Sequence, residues 1–200
     1  YAPQGWTSDD TDAAERVKIQ YGTSMCYPVS SMGSHVSAIP NHQLNRSTPL
    51  HTRANVAYFG TFGYELDLNK LSDEEICQVK EQITFMKKYR ELIQFGNFYR
   101  LKSPFEGNET VWMTVSQDKK NALVFWYRER NLVNADYTRV RLQGLDPDLI
   151  YKNEYNGIEN YGDELMNLGL LTTDGTAGEP TCEDAPCTDY ESRIYVLTAR

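Results

Sequence analysis

The spacing of hydrophobic positions changes near residue 96. Before that point, segments with the three-to-four-residue spacing of helices alternate with short apolar pieces, a pattern typical of a parallel α/β sheet or barrel. After it, apolar and polar positions alternate with a period of two, as in strands that have one solvated face. The pattern therefore predicts two domains, residues 1–96 with strand–helix units and residues 97–200 with antiparallel strands.

Three helices are predicted in the first domain. Thr11 or Asp12 is suited to cap the first helix, and Pro49, which follows a Ser-Thr pair, fits the first turn of the second. The first helix has apolar residues at helical spacing on one face: Ala14, Val17, Tyr21 and Met25.

The third helix has the clearest start signal in the sequence. Ser72, followed three positions later by Glu75, makes a capping box. The helix is predicted to end near the basic residues at positions 87–90, because cations stabilise the negative, C-terminal end of the helix dipole. Its apolar face consists of Ile76, Val79, Ile83 and Met86.

Short strands are predicted between these helices at residues 26–29 and 60–66. Three strand–helix units are too few to close a barrel of eight, so we expect most of such a barrel to lie outside the chain. A polar segment, residues 32–37 and 40–43, is interpreted either as a loop that lines a substrate cleft or as a solvated connection. Its composition favours the solvated connection.

The second domain is predicted to be an antiparallel sandwich or small barrel. Val140 and Leu142 alternate with Arg139 and Arg141, as in a strand with one face towards solvent. Turn-rich linkers separate the β-rich runs. These runs are residues 110–116, 122–128, 137–142 and 193–198.

Charge and hydropathy exclude several classes of partner. The chain of 200 residues carries 28 acidic and 20 basic side chains, a formal net charge of −8. A nucleic-acid-binding or anionic-membrane-binding protein needs a basic surface, so we expect neither partner. The longest apolar runs fall far short of the roughly 20 residues that span a bilayer. We see no signal peptide at the start of the sequence, and a cytoplasmic location is favoured over secretion.

The cysteines do not indicate a metal centre. Cys26 and Cys77 lie among apolar residues and are predicted to be buried free thiols. Cys182 and Cys187 flank a short acidic loop and could form a disulfide bond in an oxidising compartment. Neither these residues nor the three histidines have metal-ligand spacing, so no metal is predicted.

The candidate chemistry lies in residues 6–12, where a short strand runs into three aspartates and then into a helix. Catalytic groups of α/β barrels lie at the C-terminal ends of strands, which is the predicted position of Asp9. A carboxyl group crowded by others is suited to donate a proton to a leaving group, and Trp6 would supply an apolar wall or a platform for a sugar. The alternative is helix capping, which is expected for Asp10 and Asp12.

Several segments closely resemble the family-36 glycoside hydrolases, the retaining α-galactosidases of the melibiose and raffinose type. The resemblance is most specific before residue 105. By that resemblance, the chain contains the last three strand–helix units of a (β/α)8 TIM barrel followed by an antiparallel β-sandwich domain. The segments that carry it are residues 6–13, 15–24, 33–38, 40–43, 60–68 and 162–166.

The resemblance also implies a mechanism. The family's general acid/base corresponds to Asp9, and no metal or organic cofactor is implied because two carboxyl groups suffice. The family's nucleophile is the aspartate of a Lys-Trp-Asp sequence, which does not occur in this chain, so the isolated chain is expected to be inactive. The implied partners are galactoside oligosaccharides and further copies of the full-length enzyme, with a tetramer as one such assembly.

Two other functions remain open at this point. The chain could be a non-catalytic carbohydrate-binding or structural module in which Trp112 or Trp126 stacks on a sugar, although aromatic residues in strands more often belong to the core. It could also belong to a related enzyme that transfers galactose to another sugar instead of to water.

Overall fold

The computed structural model describes residues 3–132, 137–172 and 189–200. The chain forms two compact units, of which the first ends at Phe95 and the second begins at Gly96. The predicted pairing of Cys182 with Cys187 lies outside the described residues.

The first unit alternates strands and helices around a parallel three-stranded sheet. The strands β1, β2 and β3 lie side by side in sequence order, and both pairs are parallel. This confirms the predicted strand–helix alternation. The elements are β1 (Gly5–Trp6), α1 (Ala13–Thr23), β2 (Met32–Ser37), α2 (Leu50–Ala57), β3 (Thr61–Glu65) and α3 (Asp73–Phe95).

Capping side chains set where the helices begin. Asp12 accepts hydrogen bonds from the backbone N–H groups of Ala14 and Glu15, at 3.0 and 3.1 Å, and starts α1. The predicted capping box of α3 is confirmed, because Ser72 N–H donates to Glu75 Oε2 at 2.9 Å and Glu75 N–H donates to Ser72 Oγ at 3.2 Å. The residue before α2 is Pro49, which places the proline immediately before the helix instead of within its first turn.

Two helix ends differ from the prediction. Helix α1 ends at Thr23, so Met25 lies beyond it and is 58% exposed instead of continuing the apolar face. Helix α3 continues five residues past Arg90 to Phe95, so the basic residues do not mark its last turn. Burial of Ile93, which is 1% exposed, explains the extension, since packing outweighs the modest effect of charge at a helix end.

The strand prediction for residues 26–29 is wrong. This stretch forms turns that lead into a 3-10 helix at Val29–Ser31, and the neighbouring strand is β2, whose polar sequence favoured a solvated connection. The polarity of β2 is satisfied inside the fold. Ser34 Oγ donates to Ala57 O at 2.8 Å and lies 3.1 Å from Gln20 Oε1. A buried serine with such partners fits a strand as well as an apolar residue does.

The predicted burial of Cys26 and Cys77 is also wrong, because both thiols are exposed. Cys26 lies in the turn that follows α1. Cys77 precedes buried Val79 by two positions in α3, and a separation of two residues turns a helical side chain to the opposite face. Buried Val79 therefore does not share a helix face with Cys77.

The second unit contains a six-stranded antiparallel sheet with strand order β4-β5-β6-β11-β8-β9, together with a two-stranded antiparallel sheet of β7 and β10. Three of the four predicted runs are confirmed as β5, β6 and β11. In the fourth run, residues 137–142, only Arg139 and Val140 form a strand, although Val140 and Leu142 are buried as predicted. The elements are β4 (Asn97–Lys102), β5 (Glu109–Val115), β6 (Asn121–Arg128), β7 (Arg139–Val140), β8 (Ile150–Asn153), β9 (Glu159–Tyr161), α4 (Gly162–Asn167), β10 (Leu170–Leu171) and β11 (Glu191–Ala199).

The tryptophans of this sheet belong to its core. Trp112 and Trp126 are each 1% exposed. Trp112 stacks on Phe125 with ring centroids 4.5 Å apart, and Trp126 Nε1–H donates to Glu109 Oε1 at 3.0 Å. Neither ring offers a face to a ligand, which corrects the suggestion that one of them stacks on a sugar.

Candidate functional site

The loops after the three parallel strands emerge at one edge of the sheet, because parallel strands place their C-terminal ends together. Asp9 follows the end of β1 by three residues, as the sequence predicts. The last residue of β2, Ser37, is in register with Glu65 at the end of β3. Side chains from three separate segments of the chain are thus available at this edge.

The loop after β1 is built by side chains that fold back onto the backbone. Ser8 Oγ accepts a hydrogen bond from Asp10 N–H, and Asp10 Oδ1 accepts one from Asp12 N–H, each at 3.0 Å. Asp12, which caps α1, also lies 2.5 Å from Arg46 Nη1. The expected helix capping is therefore confirmed for Asp12. Asp10 instead accepts its bond from the N–H of Asp12, the residue before the helix, and does not cap α1.

Asp9 differs from its neighbours. Its side chain is exposed, and its carboxylate accepts no hydrogen bond from any residue in 3–132, 137–172 or 189–200. The bonds that shape the loop come from Ser8, Asp10 and Asp12, and the Asp9 carboxylate takes no part in them.

Trp6 lies on the same sheet face as His35. The indole and imidazole rings are stacked, with centroids 4.4 Å apart and planes inclined by 27°. The Trp6 side chain remains 54% exposed, so one side of the indole rests on His35 while much of its surface is open. An apolar ring held in this way can pack against the C–H face of a sugar.

His35 fits against β3 because its partner in register is Gly63. A Cβ atom at position 63 would lie 2.9 Å from His35 Cδ2, which is closer than real side-chain contacts. Burial lowers the pKa of His35; the nearby charge of Glu65 raises it, and that of Arg16 lowers it further. The neutral imidazole is therefore favoured in the folded protein.

Arg16, on α1, connects these elements. Its guanidinium donates through Nη1 to Ser8 O at 3.3 Å and through Nη2 to Gly33 O on β2. The residue is 3% exposed. Burial lowers its pKa, and the charges of Asp10 and Glu65 act in the opposite direction. The guanidinium remains charged, because its ordinary pKa is very high and two carboxylates stabilise the cation.

The sequence singled out Asp9 and Trp6 as candidates but did not predict that Arg16 would bond to the loop of Asp9 or that His35 would stack on Trp6. One available signal was the position of Arg16, which shares the buried face of α1 with Ala13 and Gln20 at helical spacing. A charged residue on such a face requires partners inside the fold.

The polar segment after β2 is also partly structural. Asn41 is buried, its Oδ1 accepts from the N–H groups of Gln43 and Leu44 at 2.9 Å, and its Nδ2 donates to Thr11 Oγ1 at 3.3 Å. His42 is exposed. The amide of Asn41 is thus engaged in shaping its own loop and is not left free for a substrate.

Neither a metal site nor a membrane-spanning helix occurs within residues 3–132, 137–172 and 189–200. No cluster of three or more His, Cys, Asp or Glu side chains in these ranges is arranged to hold a metal ion. None of the helices in the same ranges has the combination of length and apolar character needed to cross a bilayer.

Two family models match the chain. The Melibiase model covers residues 1–96, and the model for the glycosyl hydrolase family 36 C-terminal domain covers residues 109–197. Among curated proteins, alpha-galactosidase AgaA of Geobacillus stearothermophilus is 54% identical over 170 residues, which are 85% of this chain and 23% of that protein.

Solved structures show the same relationship. The alpha-galactosidase of Lactobacillus brevis matches with a TM-score of 0.93 and 48% identity, over 100% of this chain and 26% of its own. A variant of Geobacillus stearothermophilus AgaA in complex with raffinose matches with a TM-score of 0.90 and 47% identity, over 99% of this chain and 26% of its own. The chain spans about a quarter of the length of the relatives it matches.

Proposed function

The chain belongs to glycoside hydrolase family 36, and on that premise we propose that it forms part of an α-galactosidase that removes terminal α-linked galactose from melibiose- and raffinose-type oligosaccharides. Relatives named alpha-galactosidases, one of them bound to raffinose, support the reaction and the substrate class. The three strand–helix units would then be the last three of a (β/α)8 catalytic barrel, and the second unit its β-sandwich domain.

In the proposed mechanism, Asp9 is the general acid/base. It protonates the glycosidic oxygen while a carboxylate nucleophile attacks the anomeric carbon, and it then takes a proton from the water that releases galactose with retained configuration. The observation that carries this assignment is that Asp9 has the one carboxylate in residues 8–12 that accepts no bond from the loop or helix.

The second carboxylate of a retaining enzyme stands about 5–5.5 Å from the acid/base. We place it outside the 200 residues, because the chain has no Lys-Trp-Asp sequence. The purified chain should therefore release no galactose from raffinose. Release of galactose by the chain alone would contradict this part of the proposal.

Trp6 is proposed to bind the substrate through the open surface of its indole. A Trp6→Ala variant of the full-length enzyme should raise KM for raffinose more than it lowers kcat, because ring stacking stabilises the bound sugar before and during the reaction. A Trp6→Phe variant keeps part of the apolar surface, so its KM for raffinose should lie between those of the unmodified enzyme and Trp6→Ala. An unchanged KM in Trp6→Ala would remove Trp6 from the site.

The acid/base assignment is tested in the full-length enzyme with Asp9→Asn and, as a matched control, Asp10→Asn. The asparagine at position 10 retains an oxygen that can accept the Asp12 N–H bond, whereas the asparagine at position 9 cannot donate an acid proton. We expect Asp9→Asn to lower kcat/KM for raffinose by about 10²–10⁴-fold and Asp10→Asn by about tenfold or less.

A substrate with a good leaving group sharpens this test. A dinitrophenyl α-galactoside needs little protonation of its leaving group, so Asp9→Asn should retain most of kcat/KM for it. Azide, which needs no general base, should raise the turnover of the variant and give galactosyl azide. Near-normal raffinose hydrolysis by Asp9→Asn would reject the assignment.

A further inference from the structure

The peptide group that joins Ser8 to Asp9 is held from one side by Arg16. The carbonyl oxygen of Ser8 and the N–H of Asp9 belong to the same planar unit, and Arg16 Nη1 donates to that oxygen at 3.3 Å. A bond to this plane limits its rotation, and this restrains the direction in which the Asp9 Cα–Cβ bond leaves the backbone.

The other end of the guanidinium fixes the same loop to β2. Arg16 Nη2 donates to Gly33 O, and Thr7 Oγ1 donates to the same oxygen at 3.0 Å. The loop that carries Asp9 is thus tied to the neighbouring strand at Thr7 and, through Arg16, at Ser8. The arginine itself stands on α1, the helix that Asp12 caps.

A buried arginine in this position is costly unless its charge and its donors are matched. The carboxylates of Asp10 and Glu65 provide opposing charge. The planar fork of guanidinium N–H groups reaches two carbonyl oxygens at once, which the single ammonium group of a lysine does less well. The arrangement therefore depends on the geometry of arginine and not on its charge alone.

We propose that Arg16 is a positioning residue that orients Asp9 for proton transfer through the Ser8–Asp9 peptide group. The inference rests on the proposed function, in which Asp9 is the acid/base. A misplacement of about 1 Å in a catalytic group can cost about 100-fold in rate. Loss of the Arg16 guanidinium should therefore slow the cleavage of a substrate whose leaving group must be protonated. Cleavage of a substrate with a good leaving group should be little affected.

The test uses the full-length enzyme with Arg16→Lys and Arg16→Gln, and Arg53→Lys as the matched control. Arg53 is also 3% exposed and also donates to two carbonyl oxygens, those of Ser37 at 2.6 Å and Thr48 at 3.2 Å. Its bonds shape the loop after β2 and not the peptide group before Asp9.

The readout is the ratio of kcat/KM for raffinose to kcat/KM for a dinitrophenyl α-galactoside. This ratio does not depend on the amount of folded enzyme, so it remains valid when a variant is partly unfolded. In both Arg16 variants this ratio should fall by about tenfold or more, because the displaced Asp9 carboxyl protonates the leaving group less effectively. In Arg53→Lys it should change by less than about twofold, since both substrates would be affected equally.

The outcomes separate the two proposals. An unchanged ratio in both Arg16 variants, combined with a collapsed ratio in Asp9→Asn, would reject the positioning role and leave the acid/base assignment intact. An unchanged ratio in Asp9→Asn would reject the acid/base assignment itself. A ratio that falls as much in Arg53→Lys as in the Arg16 variants would also reject the positioning role, because any buried arginine would then have the same effect.

Discussion

The imidazole of His35 lies against the indole of Trp6, with ring centroids 4.4 Å apart. The two residues belong to adjacent parallel strands, so the orientation of the indole depends on a side chain 29 positions further along the chain. The aromatic surface that the sequence assigns to Trp6 alone is therefore formed by Trp6 and His35 together. Changes at His35 are expected to alter the way in which Trp6 meets a ligand.

The first prediction concerns the titration of His35. Burial holds its pKa below the ordinary value of 6.5, so its imidazole signals in NMR should titrate with a midpoint below 6.5 in the folded chain. Substitution of His42 and His51 by glutamine leaves a single histidine to observe. Trp6→Ala should move the midpoint upwards, because removal of the indole exposes the imidazole to water.

The lowered pKa of His35 also predicts how the free energy of unfolding changes with pH. Between the folded pKa and 6.5 the unfolded chain binds more protons than the folded chain, so the free energy of unfolding should decrease as pH falls through this window. His35→Gln should lose this dependence in urea denaturation measured at several pH values. A midpoint at or above 6.5 would contradict the lowered pKa of His35.

The second prediction concerns Gly63. A methyl group there would approach His35 Cδ2 to 2.9 Å, so Gly63→Ala should lower the free energy of unfolding by about 1–3 kcal/mol. Addition of His35→Ala should relieve most of this cost, which a double-mutant cycle measures. At Gly22, on α1, an added Cβ atom would meet nothing within 4 Å, so Gly22→Ala serves as the control and should stabilise by about 0.5–1 kcal/mol.

The third prediction concerns Asp12, whose Oδ1 accepts from the N–H groups of Ala14 and Glu15 and pairs with Arg46. Asp12→Ala removes both the cap and the ion pair and should lower the free energy of unfolding by about 2–4 kcal/mol. Asp12→Asn keeps a capping oxygen and should cost about half as much. Equal losses in the two variants, measured by denaturation in urea, would show that the cap contributes little.

The fourth prediction follows from the exposure of Cys26 and Cys77. In a chain with Cys182→Ser and Cys187→Ser, Ellman's reagent should modify both remaining thiols under native conditions as completely as in denaturant. Mass spectrometry of the modified peptides identifies each site. A thiol that reacts only after denaturation would show that the residue is buried.

Sequence patterns predicted elements whose signals are local. The capping box of Ser72 and Glu75 and the alternation at Val140 and Leu142 both follow from residues close together in the chain, and the structure confirms them. The extent of α3 beyond Arg90 was not predictable in this way, because it depends on the burial of Ile93 against other parts of the fold.

The candidate site was predictable in part for the same reason. Residues 6–12 form one continuous segment, so Asp9 and Trp6 could be singled out from the sequence. Strand β2 has the composition of a loop because its two serines and its histidine are polar, and the contacts that satisfy Ser34 come from Gln20 and Ala57. The contacts of Arg16 were not predictable for the same reason, because its partners Ser8 and Gly33 lie far from it in the sequence.

The close approach of position 63 to the imidazole of residue 35 also constrains how this part of the molecule can evolve. A mutation that adds a side chain at position 63 would cost less stability once the ring at position 35 has been replaced by a smaller side chain. Homologous sequences with a side chain at position 63 should therefore have a smaller residue at position 35, and a hybrid enzyme that combines such a residue 63 with His35 should be less stable than either parent.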